Sequence, residues 1–161
     1  MSDLEQVPLS DELLSLMRKA AKNALDTHEG FITPRALLLT MLDDPVLGPN
    51  IAQVVNREKL LAVETAATDA VRLPDDTFEA GDLPAVARYD TISFKTPDGG
   101  SSVWLSHEAY HIFIEGARRV EDRYMPKHVA LGLASQAVHA PGVLAALRVE
   151  PGVLADAIYK L

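Results

Sequence analysis

The chain has 161 residues, 48% of them hydrophobic, a formal net charge of −8 and no cysteine. That length and apolar share suffice for one sizeable core, and the missing cysteines exclude disulfides and thiolate metal sites. The acidic balance argues against nucleic acid as a partner, because phosphate binding draws on clustered Lys and Arg.

Residues 1–8 read as a loose arm ending in Pro8. The start Met1-Ser2-Asp3-Leu4-Glu5 lacks the basic opening and apolar run of a secretory leader, and no stretch is long enough to cross a bilayer. A cytoplasmic protein with no membrane address is therefore expected. Ser10 suits an N-cap, with Asp11 and Glu12 in the first turn where carboxylates favour the helix dipole. The helix it opens runs to about Thr27, where His28-Glu29-Gly30 stops it. A second helix spans about Thr33 to Asp43, capped by Thr33 and begun by Pro34, whose missing amide is no loss in a first turn. Short helices from about Gly48 to Val55 and Arg57 to Val71 follow.

The pattern then changes. Leu73-Pro74-Asp75-Asp76, Gly81-Asp82-Leu83-Pro84 and Pro97-Asp98-Gly99-Gly100 are turn formers. Ala87 to Lys95 and Ser101 to Leu105 are predicted to pair as a β-hairpin about Asp98-Gly99. Four more helices are expected: Ser106 to Asp122, Pro126 to Ala137, Pro141 to Leu147 and Pro151 to Lys160.

These two sets of helices are written alike. Leu9-Ser10-Asp11-Glu12 returns as Leu105-Ser106-His107-Glu108, and the apolar face of Leu13, Leu16, Met17, Ala20, Ala21 and Ala24 returns as Ala109, Ile112, Phe113, Gly116, Ala117 and Val120. Pro34-Arg35-Ala36-Leu37-Leu38-Leu39 then pairs with Pro126-Lys127-His128-Val129-Ala130-Leu131, and Pro49 with Pro141. Spacings of three and four give each half one helix face that needs a covering partner. The expected architecture is a single all-α domain over 1–161, built of two pseudo-symmetric four-helix repeats, 9–71 and 105–161, with a β-hairpin insertion in the linker 72–104.

The helix order, Phe31-Ile32-Thr33-Pro34-Arg35-Ala36-Leu37-Leu38-Leu39-Thr40-Met41-Leu42 and the joint Leu147-Arg148-Val149-Glu150-Pro151 resemble the Clp amino-terminal domain, a double repeat of four helices at the front of Clp-type protein unfoldases. The resemblance covers about residues 9–71 and 105–161, and its most specific piece is the leucine-rich second helix. It implies a non-catalytic module that binds protein or peptide segments, as substrate or adaptor recognition for a Clp-type ATP-dependent protease, with no cofactor. Its implied partners are protein or peptide substrates and a Clp-type unfoldase or its adaptors. No Walker-type phosphate loop occurs in the chain. Members of that family often carry Thr, Glu and His before the leucine run, and in some the acid helps hold a phosphorylated arginine. This chain has Arg35 and Lys127 at the two equivalent places, which would repel a guanidinium. Thr33, Arg35, Lys127 and His128 are accordingly candidate contacts for an acidic peptide or a simple anion at a helix start.

Two further motifs bear on function. Tyr89, Phe94 and Trp104 would make an adhesive hairpin face if exposed. His107-Glu108-Ala109-Tyr110-His111 fits H-E-x-x-H, in which His107 and His111 would share a zinc ion and Glu108 would take a proton from its bound water. This is the alternative reading, a small zinc-dependent hydrolase, with Glu115, Glu121, His128 or His139 as third ligand. Against it, symmetry with Leu9-Ser10-Asp11-Glu12 places His107 in a first turn, where fraying spoils rigid metal geometry, and explains Glu108 as compensation of the helix dipole.

Overall fold

The computed structural model describes residues 9–63, 93–139 and 142–160. The expected arm 1–8, most of the linker with Tyr89, the continuation of the fourth helix to Val71, and Pro141 lie outside the described residues.

Helix α1 (Asp11–Asp26) begins where Ser10 Oγ accepts the Leu13 amide at 3.0 Å. Its buried residues are Leu13, Leu16, Met17, Ala20, Ala21 and Ala24, the face expected from spacing. It ends in a Schellman arrangement: the Glu29 amide reaches Ala24 O and the His28 amide reaches Leu25 O, with His28 itself at φ 59.

Helix α2 (Pro34–Leu42) has almost every side chain buried, which is why its sequence is a run of leucines and not an alternation. It is the central rod, touching α1, α3 (Gly48–Ile51), α4 (Arg57–Ala62) and two helices of the second half. Helix α3 stops at Ile51, short of Val55, because the Gln53 and Val54 amides turn back to Asn50 and Ile51 carbonyls.

Strand β1 (Ser93–Lys95) pairs antiparallel with β2 (Ser102–Trp104), so that Phe94 opposes Val103. Both are buried while Lys95 and Ser102 face water, the alternation of a ribbon laid on a core. The reversal spans Thr96 to Ser101, joined at 2.9 Å, with Gly99 at φ +74 and the Asp98 carboxylate accepting the Gly100 amide at 2.9 Å.

Helix α5 (His107–Ala117) ends earlier than the expected Asp122. The Arg119 and Val120 amides turn back to Gly116 and Ala117, and the returning chain buries Tyr124 completely against Phe113, ring centroids 4.7 Å apart. Its hydroxyl donates to Phe113 O, and burial keeps the phenol well above its ordinary pKa, with Arg119 opposing.

Helix α6 (Pro126–His139) crosses α5 where two glycines meet: a Cβ on Gly132 would overlap Ile112 O and lie 2.7 Å from Gly116 N. Helices α7 (Val143–Leu147) and α8 (Pro151–Tyr159) close the chain.

Two isolated bridges join the halves. Leu9 pairs parallel with Tyr124, where the Ser10 amide donates to Tyr124 O at 3.1 Å. Ile32 pairs parallel with Leu105, where the Ile32 amide donates to Trp104 O at 2.8 Å and the Ser106 amide to Ile32 O at 3.0 Å. Asn50 of α3 adds a 2.7 Å bond to Ala157 O of α8. The described residues are mostly helical with one small hairpin, and no helix among them is long and apolar enough to cross a membrane.

Candidate functional site

At the start of α2, Thr33 is fully buried: its hydroxyl accepts the Ala36 amide at 3.1 Å and donates to Glu29. Glu29 also accepts the Thr27 hydroxyl at 2.6 Å and lies 3.4 Å from Arg35 Nη2. The Arg35 and Glu29 side chains are only 12% and 2% exposed. Arg35 Nη1 donates to Leu61 O at 3.3 Å and to Val63 O, placing positive charge on carbonyls at the end of α4. Its Nε is buried without a hydrogen-bond partner among the described residues. The expectation of anion contacts at Thr33 and Arg35 is therefore corrected: one hydroxyl is spent on a cap and a carboxylate, and the guanidinium ties α2 to α4. Glu29 is the residue that sequence reasoning missed, since one acid in a helix-stop tripeptide has no periodicity to reveal that it is buried.

The equivalent place in the second half is arranged differently. Lys127 is exposed and forms no ion pair with the described residues. His128 Nδ1 accepts the Met125 amide at 2.9 Å, the side-chain-to-amide half of a capping box at the start of α6. An imidazole can accept there only when that nitrogen is unprotonated. Partial burial, then Lys127, hold His128 below its ordinary pKa, and Glu121 opposes them.

The hairpin aromatics divide by strand parity. Phe94 is buried, edge-on to Phe113 with centroids 5.8 Å apart, so the expectation of an adhesive face fails at this residue. Trp104 is half-buried. In the H-E-x-x-H segment, His107 opens α5 directly after Ser106, whose Oγ accepts the Ala109 amide at 3.2 Å. Glu108 is thus a first-turn acid, and the half-buried His111 lies edge-on to Tyr110 at 5.7 Å. No group of three or more His, Cys, Asp or Glu among the described residues is placed to hold a metal ion. The zinc-hydrolase alternative has no geometric support.

A surface groove of about 220 Å³ runs between α6 and α8. Leu131, Ala134 and Ser135 form one wall, Pro151, Gly152 and Ala155 the other, with Arg119 and Tyr159 also lining it. Tyr159 is 70% exposed. The walls follow from helix spacing: Leu131 and Ser135 are one turn apart on α6, as are Pro151, Ala155 and Tyr159 on α8. Arg119 Nη1 donates to Glu115 O at 2.7 Å and lies 3.6 Å from the Glu115 carboxylate. That carboxylate also serves Arg118 at 2.6 Å. The lining of the groove is mostly apolar, and among the described residues it contains no catalytic constellation. Sequence reasoning did not single out Tyr159, because it lies in no motif.

No protein-family model matches the chain, and no curated protein matches it in sequence. Among solved structures, the N-terminal domain of the caseinolytic protease associated chaperone ClpD from Arabidopsis thaliana matches with a TM-score of 0.57 at 15% sequence identity, covering 94% of this chain and 92% of that one. At that identity the match speaks for the fold, and the fold is that of a Clp amino-terminal domain.

Proposed function

We propose that this chain is a non-catalytic module that binds protein or peptide segments and serves a cytoplasmic Clp-type ATP-dependent unfoldase and protease as a substrate- or adaptor-recognition element. The observation that carries this reading is a Clp amino-terminal fold presenting an open, largely apolar groove between α6 and α8. The chain is read as one domain over 1–161, with repeats at 9–71 and 105–161 and the linker 72–104 between them. The two bridges support the repeat, because it exchanges them: Leu9 corresponds to Leu105 and Ile32 to Tyr124, so Leu9 with Tyr124 becomes Leu105 with Ile32. Lys127 and His128 are read as the surface contacts of the second repeat, and Trp104 as a further contact on the hairpin.

The test adds the purified protein to a Clp-type unfoldase and peptidase degrading fluorescently labelled casein. A saturable change in degradation rate, with co-sedimentation of the protein and the unfoldase, is expected. An unchanged rate with no co-sedimentation and no binding to casein overturns the proposal.

A further inference from the structure

We infer that the groove between α6 and α8 selects extended apolar segments that carry an acidic side chain. This rests on the binding function proposed above and names its substrate class. The argument is charge complementarity. The chain as a whole carries −8, yet among the described residues the groove lining includes Arg119 and no carboxylate side chain. Among the described residues, the one ion-pair partner of Arg119, Glu115, is divided between it and Arg118. Lys127 adds a second cation: it lies one turn before Leu131 on α6, so it extends the same helix face, and it is exposed and unpaired with the described residues. The first repeat offers no such pair, since Arg35 is folded onto Leu61 and Val63 carbonyls and Glu29. An acidic group docked beside Arg119 and Lys127 meets cations already in place, while Leu131, Ala155 and Tyr159 cover the apolar part of the segment.

Three fluorescein-labelled peptides of one leucine- and valine-rich sequence, with glutamates, glutamines or lysines at the same two positions, are titrated into the full chain and followed by anisotropy. The glutamate peptide is expected to bind about fivefold tighter than the glutamine peptide, the size of exposed ion pairs, and the lysine peptide weakest. Salt should narrow the difference. Arg119→Gln with Lys127→Gln should erase the preference for glutamate over glutamine and the salt dependence that goes with it. Tyr159→Ala, at an exposed position that leaves the fold intact, should weaken all three. Equal binding, a preference for lysine, or self-association of the chain that displaces the peptides overturns the inference and leaves peptide binding as such standing; failure of all three peptides to bind, with casein also unbound, overturns the proposed function itself.

Discussion

The crossing of α5 and α6 depends on two glycines, and substituting one of them tests how the second half is packed. A Cβ on Gly132 would overlap the Ile112 carbonyl oxygen and sit 2.7 Å from Gly116 N and 3.1 Å from Gly116 Cα, where ordinary contact begins near 3.4 Å. All three atoms are backbone of α5, so no side chain can swing away and the helices must part. Opening an interface by about 1 Å forfeits a quarter to a half of the dispersion energy of the facing atoms, and overpacking of this kind costs about 1–3 kcal/mol. Alanine recovers about 1 kcal/mol of helix propensity. The upper end of the overpacking range applies to an immovable neighbour, which leaves Gly132→Ala destabilised by about 2 kcal/mol, or about 4–8 °C in Tm for a chain of this length. Gly152 in α8 is the control, because a Cβ there meets nothing within 4 Å. Urea and thermal unfolding followed by far-ultraviolet circular dichroism give both values. If Gly132→Ala proves as stable as Gly152→Ala, the close crossing is wrong.

Arg35→Ala should destabilise by about 2 kcal/mol, since it removes the cation from a buried carboxylate that keeps its hydroxyl donors Thr27 and Thr33, whereas Arg35→Met with Glu29→Gln should recover most of that loss in the same urea titration. His28→Gly should stabilise by about 1 kcal/mol, because His28 occupies the left-handed region that glycine enters freely. The His128 imidazole is held below its ordinary value of about 6.5, so the unfolded chain binds more protons. Its contribution is therefore full above about 6.5 and is lost as pH falls through the lower folded value. Unfolding temperature measured across that window should drop more steeply in the parent than in His128→Gln.

Local chemistry made much of the fold legible. Ser10, Thr33 and Ser106 each accept the amide three residues on, as their positions before an acidic turn, a proline or a repeat of the first helix led one to expect. The buried face of α1 and the leucine rod of α2 follow from spacing alone, because a helix places residues three and four apart on one side whatever surrounds it. Asp98-Gly99 likewise marks a reversal that the backbone adopts, although the paired strands are short.

What sequence could not reveal depends on residues far apart in the chain. Arg35 reads as a surface cation until Leu61 and Val63 arrive beside it, and Glu29 reads as a helix stop until Thr33 and Arg35 enclose it. Phe94 became core because the hairpin lies on α1 in one register, and a slip by one residue would have turned it to water. The groove is assembled from the end of α5, α6 and α8, and its character depends on which cation each repeat spends on its own backbone. Capping residues and apolar spacing set where helices begin and which faces seek burial, since those preferences act within a turn or two. That Arg35 serves the fold while Arg119 and Lys127 stay near an open groove followed from packing, because pairing a charge requires a partner brought from elsewhere in the chain.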